Sequence, residues 1–232
     1  MLRQGIFLLV GAALVLAACS GSATPELEQE LRIGFSEAAG AVRASLLGCI
    51  PEEVAGRVRI EPVLGGTVDV SDYDLLIRLG ETSPLPEFAV PLGQEEILAV
   101  VQAGNPIGEL STEQLAAVFS GRIQDWSELG GQSAEIELWI GLPGDEVREL
   151  FQARILLGGE FSGEARLATS ASEMQAAVAG DPAAIGLLPA SLLSEGLRGM
   201  EIGIQAPILG LAATEPDAAL HTILLCMQSL ED

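Results

Sequence analysis

Short apolar runs alternate with amphipathic stretches along the whole chain. Residues 31–35 read as a strand, and Ser36 follows as a helix N-cap. The stretch after it carries Ala39, Val42, Leu46 and Leu47 to Cys49, and Pro51 ends it. Residues 58–63 and 74–79 predict two more strands, and a proline-rich loop over 83–91 leads to a fourth, 97–101. Asn105-Pro106 breaks that run, because proline fixes its own φ and restricts the residue before it. Ser111 with Gln114 predicts a capping box for a helix whose apolar stripe is Leu115, Val118 and Phe119, with Gly121 beyond its end. A short turn holding Trp126 closes at Gly130-Gly131.

Further on, 135–140 alternates as a strand, and Pro143-Gly144-Asp145 turns into a helix carrying Val147, Leu150, Phe151, Ile155 and Leu156. Ser170 or Ser172 caps a helix with Met174, Ala177 and Val178, which Asp181-Pro182 ends before a strand at 184–188. Two late strands, 200–205 and 208–213, precede a final helix from Pro216 through Leu220, Ile223, Leu224 and Met227. Strands alternating with helices over short connections predict an α/β fold with mostly parallel sheets.

Composition narrows the function. The 232 residues are 49% hydrophobic and only 4% aromatic, enough for one large or two small domains with an aliphatic core. All 11 basic residues are arginines, and against 33 acids they leave a net charge of −22. That balance argues against nucleic acid or anionic lipid surfaces as partners and fits the solubility of an exported surface. At the N-terminus, Arg3 precedes an apolar run over 6–16 that is too short to span a bilayer and reads as a signal-peptide core. Small residues lead into Cys19 and resemble a bacterial lipobox, which implies a signal peptide over 1–18 and lipidation of Cys19. Residues 19–26 would then be a flexible tether.

Enzyme chemistries find little to work with. His221 is the only histidine and falls in the last helix, no G-x-S-x-G occurs, and zinc ligands are lacking. Asp69, Asp72 and Asp74 cluster without the spacing or glutamate of a calcium loop and read as a solvated turn. The expectation is a protein that is no enzyme and holds no metal or cofactor.

One segment is specific. Asn105, Pro106, Leu110, Ser111, Leu115, Phe119, Ser120, Gly121, Ile123, Trp126, Glu128 and Leu129 form a series that resembles the phosphate-type substrate-binding proteins of ABC importers. The resemblance recovers at 184–188. It implies a two-lobed type II periplasmic-binding-protein-like fold with the ligand cleft between the lobes. Residues 27–103 plus 196–232 would form lobe 1, and 104–195 lobe 2. The resemblance implies an oxyanion held by hydroxyls, helix N-terminal N–H groups and an arginine, and so points to Ser36, Glu37, Arg78, Gly144 and Asp145. Arg78 would contact the ligand or pair with Glu37, Asp74 or Glu81. Here the sequence departs from the family: the hydroxyls of its second-lobe S-G-T turn are replaced around Gly144-Asp145, and Glu37, Asp145 and Glu146 all fall near the expected cleft. Cys49 and Cys226 share lobe 1 in such a fold and are either a disulfide or two buried thiols. The implied function is a monomeric, lipid-anchored, extracytoplasmic solute-binding protein that closes on phosphate or another small oxyanion, or on an unknown polar solute. It would deliver this to an ABC permease. The alternative is a degenerate surface lipoprotein of the same fold with a sensory or protein-interaction role and no phosphate binding.

Overall fold

A computed structural model describes residues 30–63 and 68–230. The signal-peptide segment, Cys19 and the tether lie outside the described residues. In chain order the elements are β1 (Leu31–Ser36), α1 (Arg43–Cys49), α2 (Glu52–Ala55), β2 (Val58–Val63), β3 (Leu75–Leu79), β4 (Phe88–Gln102) and α3 (Thr112–Phe119). There follow β5 (Glu137–Gly141), α4 (Glu146–Arg154), β6 (Arg166–Ala168), α5 (Ala171–Gly180), β7 (Ala184–Pro189), β8 (Leu197–Ala212) and α6 (Ala218–Ser229).

The strands make one sheet in the order β2-β1-β3-β8-β4-β7-β5-β6. β1 runs parallel to β2 and β3, and β5 runs parallel to β6 and β7. The antiparallel pairs all involve β4 or β8. These two long strands therefore form a ribbon that joins two parallel α/β ends, as a two-lobed α/β fold requires. Residues 88–93 of β4 pair with the end of β8 that flanks β3, while 97–101 pair with β7 on their other edge.

The ribbon corrects two expectations. The loop over 83–91 ends early, because Phe88 to Pro91 already belong to β4. β7 does not reach Pro91, so its missing N–H removes no ladder bond on that edge. The two late strands are one, β8, which continues through a bulge opposite Ile97 and Leu98. Gly203 takes φ 71° there, a left-handed conformation that glycine adopts without a Cβ clash. Patterning also missed α2 and β6, which are only 4 and 3 residues long. The helix expected from Ser36 begins as a 3-10 turn over Glu37–Val42, and only then becomes α1.

Elsewhere the local signals match. Ser111 and Gln114 form the capping box of α3, and Ser170 caps α5. Two residues of the family-like segment tie it to the entry of β7. The Trp126 indole N–H donates to the Ala183 carbonyl at 2.9 Å, and the Asn105 amide donates to the Pro182 carbonyl at 3.1 Å. Phe119, Phe151 and Phe161 cluster behind α3 and α4, with ring centroids 4.4 to 6.4 Å apart. At the other end α6 buries Leu220, Ile223, Leu224 and Met227 and is bonded to α1 by the Cys49–Cys226 disulfide, with Cα atoms 5.6 Å apart. Among the described residues no helix is long and apolar enough to cross a membrane.

Candidate functional site

The C-terminal ends of β1 and β3 face the N-termini of α4 and α5 across a cleft. Ser36, Glu37, Arg78, Gly144 and Asp145 all line it, so the structure gathers every ligand residue that the resemblance implied. Val63, Leu76, Met174 and Leu187 supply apolar wall. Arg78 is the only cation among the described lining residues, against three carboxylates: Glu37, Asp145 and Glu146.

From the β1 side, Ser36 ends its strand with extended backbone, and its Oγ accepts the Ala38 N–H at 3.2 Å. That is the expected N-cap, and it leaves the hydroxyl proton free to donate. It donates to Oε2 of Glu146. The same oxygen accepts the backbone N–H of Leu79 at 3.2 Å, and Oε1 lies 3.2 Å from Nε of Arg78. A hydroxyl, a main-chain amide and a guanidinium thus converge on one carboxylate delivered by the opposite wall. Arg78 Nε makes a charge contact only, since it has no hydrogen-bond partner among the described residues.

This corrects the expected pairing of Arg78. Its partner is Glu146, whereas Asp74 accepts the backbone N–H of Arg32 at 2.7 Å and Glu37 turns to the far side of the cleft. There Oε2 of Glu37 accepts the Ala171 N–H, the first amide of α5, at 2.9 Å. An anion at that position meets unpaired helix N–H groups and the positive end of the helix dipole.

Gly144 (φ 86°) sits in the turn that leads into α4, where a left-handed residue aims the next side chain back at the helix. Asp145 is the N-cap, and its Oδ1 accepts the Arg148 N–H at 2.9 Å. Its carboxylate packs so closely on Gly141 that a Cβ there would lie 2.6 Å from Asp145 Cγ. With its acceptor committed to its own helix, Asp145 faces the cleft as wall. Burial raises its pKa, and the amides of Arg148 and Val147 oppose that rise. Glu146, the first residue of the helix, is the one that reaches across. Burial lifts its pKa to about 7, against the lowering effects of Ser36, Arg78 and the Leu79 amide.

The sequence places Glu146 near the cleft without giving it a role in the site, and the Leu79 amide was not selected at all. A signal did exist: a capped helix start at Asp145 puts the next residue at the rim, pointing away from its own helix into the cleft. Other sequence candidates stay outside. His221 lies on the surface of α6, 3.7 Å from Glu215. Asp69 caps a turn at Ser71, and no metal-binding group of three or more His, Cys, Asp or Glu side chains occurs among the described residues.

Comparison with known proteins bears on this geometry. Residues 80–197, half of the chain, match a family model described as the PBP superfamily domain. The chain is 25% identical over 139 residues to the phosphate-binding protein PstS of Bacillus subtilis (strain 168). That match spans 59% of this chain but only 45% of the relative. Among solved structures, a putative phosphate ABC transporter substrate-binding protein with bound phosphate from Clostridium perfringens superposes with a TM-score of 0.72 at 16% identity, covering 84% of this chain and 92% of that one. An ABC-type phosphate transport receptor from Vibrio cholerae gives 0.66 at 17% identity, covering 86% and 93%. At such identities the likeness is one of fold.

Proposed function

The chain belongs to the PBP superfamily, and from that premise we propose that it is an extracytoplasmic solute-binding protein of an ABC importer, taking phosphate or another small oxyanion by closure of its lobes. One observation carries the ligand class. The Ser36 hydroxyl, the Leu79 N–H and the Arg78 guanidinium converge on a carboxylate, and the same three donors suit a phosphate or sulfate oxygen. The relatives described as phosphate-binding proteins support the transport role. On this reading residues 27–103 with 196–232 and residues 104–195 are the closing lobes, Cys19 carries the lipid that holds a monomeric protein at the membrane, and a permease receives the solute. Isothermal titration calorimetry of the purified chain with phosphate, sulfate and a panel of neutral solutes tests the ligand class. Arg78→Ala removes a charge-assisted contact and is expected to weaken oxyanion binding at least about 10-fold. Binding of a neutral solute alone would overturn the oxyanion assignment.

A second reading has one observation in its favour. The oxyanion seat is filled by the chain's own Glu146, which suits a surface lipoprotein that keeps the fold but senses or docks instead of transporting. No phosphate or sulfate binding by either the wild type or a Glu146 variant would select it.

A further inference from the structure

We propose that Glu146 is a tethered stand-in for the ligand, a carboxylate that α4 inserts into the Ser36–Leu79–Arg78 seat so that the empty protein is held shut. The ligand arm of this inference rests on the oxyanion reading above; the latch itself does not.

Several features separate a latch from an ordinary buried ion pair. All three contacts to the carboxylate come from the ends of β1 and β3, and the carboxylate alone comes from the other wall. The helix that carries Glu146 does not need it there, because Asp145 already caps α4. Withdrawal therefore requires side-chain rotation and leaves the helix start intact. The seat is also incompletely served. Arg78 Nε is buried and without a hydrogen bond among the described residues, which a planar carboxylate at this angle leaves unmet and a tetrahedral oxyanion with further oxygens can meet. Finally, the arrangement is reciprocal. Glu37 reaches from the β1 side to the Ala171 N–H at the start of α5, so each wall places a carboxylate on a donor of the other.

Charge decides how a ligand would enter. Arg78 and Glu146 neutralise each other, and Asp145, Glu37 and Glu149 are the further charges around them. A dianion added beside a seated Glu146 would put like charges in contact, so the solute binds only where Glu146 leaves. A site whose competent form is a fraction of the population binds with its affinity reduced by that fraction. A tether that occupies the seat nine-tenths of the time or more thus lowers phosphate affinity about 10-fold or more.

The test uses the full chain with Glu146→Ala and, as an isosteric control for folding, Glu146→Gln, both checked by thermal unfolding. Small-angle scattering and hydrogen exchange at the Leu79 amide are read without ligand, then phosphate is titrated by calorimetry. The expected result for Glu146→Ala is a larger radius of gyration, Leu79 exchange at least 10-fold faster, and phosphate affinity at least 10-fold higher than wild type. Glu146→Gln, which still offers one acceptor oxygen, falls between. Unchanged scattering and exchange in Glu146→Ala would overturn the latch, as would wild-type phosphate affinity equal to that of the variant. Opening without any oxyanion binding leaves the latch standing and removes the oxyanion reading instead.

Discussion

Cys49 at the end of α1 and Cys226 in α6 are joined by a disulfide across 177 residues of chain. The bond fixes the last helix to the first, so both ends of the described chain belong to the β1–β3 end of the molecule. Closing so long a loop removes denatured-state entropy worth about 5 kcal/mol in the chain-entropy model, and measured values run at about 2–5 kcal/mol. Cys49→Ser with Cys226→Ser is therefore expected to lower the unfolding free energy by about 2–5 kcal/mol in denaturant titrations. Peptide mapping of the unreduced protein should recover the two cysteines as one linked peptide. A free thiol at either position contradicts the bond.

Stability should fall as pH rises through the neutral range. Glu146 has its pKa raised from 4.5 to about 7, chiefly by burial. The folded state then holds this proton between those values while the unfolded chain has lost it. The contribution is complete below about pH 4.5 and is gone above about pH 7, a change on the order of 3 kcal/mol. Asp145 is also raised and acts in the same direction, with Glu37 and Glu149 adding to its shift. Arg78 faces Glu146 from β3. The exposed carboxylates of Asp69, Asp125 and Glu173 are lowered instead, and their contributions are lost only in stronger acid. Urea unfolding at intervals from about pH 5 to 8 should give a downward slope for wild type and a much flatter one for Glu146→Gln. Equal slopes would show that Glu146 titrates normally.

What the sequence made legible follows the range of the interactions involved. Caps are decided within a few residues: Ser36 and Ser111 appear where their hydroxyls predicted, and of the two candidates for α5 the cap is Ser170. The continuity of β8 was not legible. Ala206-Pro207 looks like a break between two strands until β4 pairs across it, with Glu95 opposite Ala206 and Gln94 opposite Pro207. The partner of Arg78 was missed for a related reason. Every acid proposed for it was near in sequence or shared its presumed lobe, whereas Glu146 arrives from α4 across the cleft. Local chemistry could point to residues that line the cleft, but not to which carboxylate α4 would place among them.

The scaffold segment makes a separable prediction. Trp126 is 3% exposed, and its indole N–H reaches the Ala183 carbonyl beside the Asn105–Pro182 bond. Trp126→Phe keeps an aromatic ring and removes one of two donors to that carbonyl, which still accepts the Glu137 N–H at 3.1 Å, at a cost of about 0.5–1.5 kcal/mol. Denaturant melts should register the loss while calorimetry shows phosphate affinity unchanged, because none of these residues lines the cleft. A large change in affinity at full stability would mean that the segment governs closure directly.

The contact between Glu37 and α5 can be tested amide by amide. Oε2 of Glu37 accepts the Ala171 N–H, whereas Ser170 separately accepts the Glu173 N–H at 3.2 Å. Glu37→Ala removes the first acceptor and leaves the second. Hydrogen exchange at Ala171 should then accelerate at least about 10-fold with Glu173 unchanged, since a hydrogen bond of about 1.4 kcal/mol corresponds to that factor. A carboxylate near an exposed helix N-terminus adds only about 0.3–1 kcal/mol, so global unfolding should move little. If exchange at both amides rises together, Glu37 supports the whole first turn of α5. If neither moves, the carboxylate does not hold Ala171 in solution, and Glu146 alone bridges the cleft.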